Sequence, residues 1–93
     1  MKTTAYFREV VCEKHPGIAQ EWILQVTAEP LERRQQADGR FVFWGVVPEA
    51  GGRVLRVVTL EDSQTVHNAF FDRGFRRSLL RGGQPALPDV PGP

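Results

Sequence analysis

Four residues of types that bind phosphate, stack on bases and exchange protons lie in the most regular part of the sequence. They are Arg40, Trp44, Arg56 and His67. Arginine forms two-pronged hydrogen bonds with phosphate, tryptophan stacks on bases, and histidine titrates near neutral pH. This combination is suited to binding RNA. It is also suited to cleaving RNA without a metal, when the 2′-hydroxyl attacks its own phosphate and side chains manage the protons and charge.

The segments that hold these residues alternate with a period of two and are rich in aromatic and β-branched side chains, which predicts strands. The predicted strands are 40–47, 53–60 and 65–71. Turn-forming residues separate them at 48–52 and 61–64. The second half of the chain is therefore predicted to be an antiparallel meander.

Symmetric closure of the two hairpins predicts the face that each residue occupies. Trp44 is then opposite Arg56, and His67 is opposite Val58, so that the four candidates share one open face with several valines. The other face is predicted to be apolar apart from Asn68 and to pack against a helix. It carries Phe41, Phe43, Leu55, Val57, Thr59, Val66 and Phe70. A register slip of one residue would move a strand's side chains to the opposite face.

The first half of the chain contains one clear helical pattern. Ile18, Trp22 and Val26 form an apolar stripe that predicts a helix over 18–29, and Pro30 ends it. The remaining segments are assigned less specifically. A short strand or extended entry is predicted at 6–12, either more helix or a surface connection at 31–38, a turn at 38–39, and a short helix at 75–81.

These elements predict one α+β domain over residues 1–81, with the N-terminal helix packed on an antiparallel sheet. Residues 82–93 contain four prolines and three glycines, which predicts a flexible tail. No run approaches the length of a membrane helix or of a signal-peptide core. We therefore expect a cytoplasmic location without membrane contact.

Composition narrows the chemistry further. The net charge is +1, but ten of the twelve basic residues are arginine, which indicates either phosphate binding or a GC-rich genome. Cys12 is the single cysteine, and no Cys/His cluster has zinc spacing, so neither a disulfide nor a metal site is expected. No glycine-rich phosphate loop is present, and no cofactor is expected.

Several motifs together resemble a known family. They are Glu21-Trp22-Ile23, Glu29-Pro30, Asp38-Gly39-Arg40, Trp44-Gly45, Leu55-Arg56-Val57-Val58 and the run from Val66 to Arg73. Over roughly residues 6–77 the chain resembles small bacterial domains of the DUF4258 group, which are allied to the RelE/ParE-like toxin superfamily, and more distantly BrnT toxins. The resemblance implies a RelE-like fold, with a helix or helices packed on an antiparallel sheet of three to five strands. It also implies a ribonuclease toxin that an antitoxin protein neutralises, with Arg40, Arg56, His67 and Arg73 at the matching positions.

Two functional hypotheses follow. In the first, the protein is an RNA-directed toxin, a metal-independent endoribonuclease with His67 and Arg56 as catalytic residues. Arg40, Trp44 and Arg73 then bind the RNA, and His15 is a second candidate for proton transfer. In the alternative, the same fold is a non-catalytic protein-binding or homodimerising module whose valines form the interface. Structural roles also remain open: His67 as a satisfied strand residue, and an Arg56–Trp44 stack that covers apolar surface.

Overall fold

Helices and strands follow one another in the order α-α-β-β-β-β-α in a computed structural model that describes residues 1–80. Helix α1 joins a π-helical stretch, Phe7–Val11, to an α-helical turn, Cys12–Lys14; α2 is Gln20–Ala28 and α3 is Arg73–Leu80. The strands are β1 (Glu32–Gln35), β2 (Phe41–Val47), β3 (Arg53–Thr59) and β4 (Val66–Phe71). They form one antiparallel sheet in the order β1-β2-β3-β4, which confirms the α+β class. The tail predicted at 82–93 lies outside the described residues.

The prediction of a strand or extended entry at residues 6–12 is wrong, because this segment is helical. Phe7 and Val11 are four residues apart, so a helix places both on one face, and both are buried. The Thr4 hydroxyl accepts a hydrogen bond from the Phe7 N–H at 3.1 Å and so caps the helix start. A cap and a helical pair of apolar residues outweigh the β-branched character of Val10 and Val11.

Strand β1 lies within a segment that was predicted to be either further helix or a surface connection. Its residues are all polar, so side-chain burial gives no strand signal. The strand is held instead by its backbone pairing with β2, in the register Arg33 to Phe43 and Gln35 to Phe41. The turn predicted at Asp38-Gly39 is present, and Gly39 has a φ of +91° there.

Helix α2 packs on one face of the sheet and forms the main core, as its apolar stripe predicts. Ile23 and Val26 of α2 are buried, and Trp22 packs at the margin. Gly45 of β2 faces this helix, and a Cβ atom added there would lie 2.9 Å from Val26 Cγ2. The absence of a side chain at residue 45 therefore allows a close approach of α2 to the sheet. The buried core residues are Phe7, Val11, Ile23, Val26, Phe43, Val47, Leu55, Val57, Val66 and Ala69.

The predicted pairing of β2 with β3 is confirmed, including Trp44 opposite Arg56. The predicted pairing of β3 with β4 is wrong beyond the turn, because a register shift occurs at Val58/Thr59. Val66 pairs with Thr59 and Asn68 pairs with Val58, so that His67 is the additional residue of a bulge.

This bulge exchanges the faces of the last part of β4. Ala69 and Phe71 now pack with the main core, while Asn68 pairs with Val58 and Phe70 pairs with Arg56 on the opposite face. The predicted register would have buried the Asn68 amide beneath α2. The bulge removes this polar group from the apolar core, where it would need a hydrogen-bond partner.

Candidate functional site

The face predicted to be open is covered by helix α3. Trp44 and Arg56 are each only 2% exposed, and the Phe75 ring of α3 stacks on Trp44 with centroids 5.3 Å apart. Three of the valines that were expected to form an interface, Val42, Val54 and Val58, are buried beneath the same helix, whereas Val46 is 37% exposed. This second cluster consists of Val42, Trp44, Val54, Val58 and Phe75. The expectation of an open, positive face is therefore wrong, because the C-terminal helix folds onto it.

Asp72 joins α3 to this face. One carboxylate oxygen accepts a hydrogen bond from the Trp44 indole N–H at 3.1 Å, and the other accepts one from the Phe75 N–H at 3.0 Å. The second bond caps the N-terminus of α3. The Asp72 N–H donates to the Val54 carbonyl at 2.8 Å, which fixes the residue at the end of the sheet.

Arg56 is a charged residue in this second core. Its guanidinium carbon lies 5.1 Å from the Phe70 ring centroid and 5.9 Å from that of Trp44. Burial lowers the pKa of Arg56, and the negative charge of Asp72 opposes that shift. The Arg56–Trp44 contact matches the stacking alternative. A catalytic role for Arg56 stays a prediction, and this residue lies under α3.

His67 lies apart from Trp44 and Arg56, beside the N-terminal segment. Its ring stacks on Tyr6 with centroids 4.9 Å apart, and its Nδ1 lies 3.0 Å from the Thr4 hydroxyl oxygen. Burial lowers the pKa of His67, and the positive charge of Arg40 lowers it further. When the His67 ring is neutral and its proton is on Nε2, Nδ1 accepts a hydrogen bond from the Thr4 hydroxyl. His67 thus supports Tyr6 and the cap of α1.

Arg40 and Arg73, the other two residues predicted to bind RNA, lie in different parts of the structure. Arg40 follows the β1–β2 turn, where its side chain is 3.9 Å from the Asp38 carboxylate. Arg73 opens α3, is exposed, and lines a cleft next to β4. The structure therefore brings Trp44 and Arg56 together, places His67 near the charge of Arg40, and puts Arg73 in a separate surface site.

This cleft has a volume of about 560 Å³ and lies between the end of α1, the start of α3 and strand β4. Its walls carry four cations, one histidine, one carboxylate and three aromatic rings. The lining residues are Tyr6, Val11, Lys14, His15, Arg53, Val54, Asn68, Phe70, Phe71, Asp72, Arg73 and Arg76. In a chain whose net charge is only +1, this is a local concentration of positive charge.

Two of the cations are held in place by the β2–β3 hairpin. Arg53 Nε donates to the Ala50 carbonyl at 2.9 Å, and its guanidinium lies 3.8 Å from the Phe71 ring centroid. Arg76 Nε donates to the Gly52 carbonyl at 3.2 Å. Each guanidinium retains further N–H groups with which it can bind an anion. Lys14 and Arg73 are exposed at the rim.

Sequence reasoning identified Arg73 and His15 but missed Lys14, Arg53 and Arg76 as parts of one site. These residues come from α1, β3 and α3. No spacing in the sequence connects them, because the cleft depends on a helix at 7–14 where a strand or extended entry was predicted. The cluster Arg73, Arg76 and Arg77 was the available signal, since a helix brings residues 73, 76 and 77 to neighbouring positions.

Within residues 1–80, no three His, Cys, Asp or Glu side chains lie close enough together to hold a metal ion. None of the helices in this part of the chain is both long and apolar enough to cross a bilayer.

The fold and cleft define a small α+β domain with a basic, aromatic-lined surface site. Comparison of the chain with protein-family models, curated proteins and solved structures gives no match.

Proposed function

We propose that this protein binds RNA in the basic cleft and acts as an RNA-directed, toxin-like domain. The observation that carries the proposal is the grouping of Lys14, Arg53, Arg73 and Arg76 around one concave site, against the single carboxylate of Asp72. That carboxylate is already engaged by Trp44 and the backbone of α3. The net charge of the site therefore favours a polyanion.

The aromatic residues favour a nucleic acid over a simple anion. Tyr6 is 43% exposed, and one side of its ring is supported by His67. Phe70 and Phe71 also line the cleft. An exposed ring beside guanidinium groups can stack a base while the cations contact the adjoining phosphates.

Cleavage of the bound strand requires a group that exchanges protons. His15 lines the cleft and is exposed, so it is the histidine that a bound strand would reach. His67 lies behind Tyr6, with its Nδ1 engaged by Thr4. In the proposed chemistry His15 accepts the proton of the 2′-hydroxyl as that oxygen bonds to phosphorus, the bond from phosphorus to the 5′-oxygen breaks, and the departing 5′-oxygen takes a proton from water. The arginines of the cleft stabilise the charge on the phosphate. An antitoxin protein would then act by covering this cleft.

Binding is tested by fluorescence anisotropy with a labelled single-stranded RNA at several salt concentrations. The double variant Lys14→Gln/Arg73→Gln removes two exposed cations of the cleft. It should weaken binding about tenfold or more at low salt and reduce the salt slope by about 1.4, since each lost phosphate contact accounts for about 0.7 on a single strand. The matched control Lys2→Gln/Arg33→Gln removes the same charge at two residues that do not line the cleft, and it should change the affinity much less. Equal losses in the two variants would contradict binding at the cleft.

Toxicity is tested by inducible expression in a bacterial host, with growth and RNA integrity followed together. Wild-type protein should slow growth and fragment RNA, and His15→Gln should abolish both effects while the purified variant still binds RNA. Intact RNA and normal growth with wild-type protein would reject the ribonuclease, even if the anisotropy measurement supports binding.

A further inference from the structure

Strand β1 forms an outer edge of the sheet, and within residues 1–80 no strand pairs with its far side. The opposite edge is treated differently, because the start of the chain covers the start of β4. The Val66 N–H donates to the Lys2 carbonyl at 2.9 Å, and the Thr4 N–H donates to the Val66 carbonyl at 3.0 Å. The β1 edge is therefore the place where an additional strand can join.

The register identifies the backbone groups that this edge presents. The Gln36 N–H donates to the Arg40 carbonyl at 2.7 Å, which marks residues 36 and 40 as a hydrogen-bonded pair. Hydrogen-bonded and non-bonded pairs alternate along an antiparallel ladder. Arg33 and Gln35 then belong to non-bonded pairs with β2. Their N–H and C=O groups point away from β2 toward the open edge.

The side chains of this edge discriminate between possible occupants. Arg33 and Arg34 are both exposed, and the Arg33 guanidinium is held 4.5 Å from the Phe41 ring centroid. A second copy of this chain, paired edge to edge, would bring two arginines and one carboxylate, Glu32, on each strand, so that positive charge stays unbalanced. An extended segment with acidic side chains would instead meet complementary charge. Leu31, which precedes the strand and is 55% exposed, offers an apolar contact beside it.

We infer that the β1 edge binds an extended acidic peptide segment of another protein by strand addition. The added strand forms backbone hydrogen bonds with Arg33 and Gln35, and its carboxylates contact the Arg33 guanidinium. This site lies on the side of the sheet where β1 is outermost, whereas the cleft lies beside β4. The inference therefore does not depend on RNA binding.

The test uses the full chain and a short synthetic peptide of alternating valine and glutamate, with a valine–lysine peptide of the same length as the comparison. The acidic peptide should bind in isothermal titration calorimetry, and it should slow hydrogen exchange at the amides of residues 33 and 35. The basic peptide should not bind. Equal binding of the two peptides, or no binding of the acidic one, would overturn the inference.

Two variants distinguish strand addition from simple charge attraction. Gln35→Pro removes one outward N–H and keeps both arginines, because proline is tolerated on the solvent side of an edge strand. It should lower the affinity for the acidic peptide about three- to tenfold. Arg33→Glu should lower the affinity for the acidic peptide about fivefold or more. Arg77→Glu makes the same charge change on α3 and should have little effect on this affinity. An unchanged affinity for Gln35→Pro would show that the peptide does not add as a strand.

The same variants separate this inference from the proposed function. Gln35→Pro should leave RNA affinity unchanged, since residue 35 does not line the cleft. Circular dichroism and the urea midpoint of Gln35→Pro establish that the variant is folded. Should it be unstable, Gln35→Glu, which keeps the N–H and adds a repelling charge, must weaken the acidic peptide for the inference to stand.

Discussion

The two faces of the sheet are both covered by helices, but they are built from different chemistry. The face under α2 is apolar, and Gly45 lets the helix approach it closely. The face under α3 contains the buried Arg56, and its helix is joined to the sheet by Phe75 and by hydrogen bonds to Asp72. Apolar burial increases stability wherever it occurs, whereas a buried charge stabilises only while its partners stay in place.

This difference indicates that α2 and the sheet form the stable unit and that α3 is a more loosely held addition. Within residues 73–77, the part of α3 whose side chains the structure describes, Phe75 is the buried apolar residue. A helix can open without unfolding the remainder of the domain. The cations Arg73 and Arg76 belong to this helix, so the proposed RNA-binding cleft depends on the weaker of the two attachments. Three measurements test this difference in stability across the molecule.

The largest effect is expected for Leu55→Ala, in the face under α2. Leu55 is fully buried in the main core. Its truncation should lower the free energy of unfolding by about 2–5 kcal/mol, through lost burial and the cavity that remains. Urea denaturation followed by circular dichroism measures this change. A loss below about 1 kcal/mol would show that the α2 face is not the principal source of stability.

A smaller global effect is expected for Phe75→Ala, in the face under α3. Phe75 is also buried, and truncation of a core phenylalanine usually costs about 3–5 kcal/mol. Here the loss should fall below that range, because α3 can detach while the sheet stays folded. Hydrogen exchange should accelerate at residues 73–80 and remain slow in β2 and β3. Uniform acceleration across the chain would contradict two units of unequal stability.

The smallest effect concerns His67 and acid. Because the folded-state pKa of His67 is lowered, the unfolded state binds the proton more strongly, so stability rises with pH. This contribution is present above the unfolded pKa of about 6.5 and is lost as pH falls through the lower folded value. Urea midpoints at pH 7.5 and pH 5 should differ less in His67→Gln than in wild type. An equal difference in His67→Gln and in wild type would contradict this contribution of His67.

The part of the fold that the sequence predicted is the part set by strong local patterns. The apolar stripe of α2 and the alternation in β2 and β3 each have one dominant period, and the Pro48–Gly52 loop closes with the predicted symmetry. The missed elements lack such patterns. β1 is entirely polar and pairs with β2 through its backbone, and the bulge at His67 lies beside Thr4, which is far away in sequence.

The candidate site could be predicted only in part, for a related reason. Residue types indicated phosphate and base chemistry, and Arg73 does line the cleft. Which arginines reach solvent depends on where α3 packs. Its docking through Phe75 and Asp72 buries Arg56 and Trp44 and leaves Arg73 exposed. The alternation within one β-strand predicts which of its residues share a face of the sheet. It does not reveal that a helix later in the chain covers that face.

The contact of Trp44 with Phe75 and Asp72 makes the fluorescence of Trp44 a reporter of whether α3 is docked. The Trp44 indole is enclosed when α3 is docked and would meet water when α3 departs. Its emission should therefore shift to longer wavelength upon opening, and Trp22→Phe removes the other indole, which packs near Phe71 on the opposite face. The motion of α3 can thus be followed in real time, in the unlabelled protein, while RNA or peptide is added.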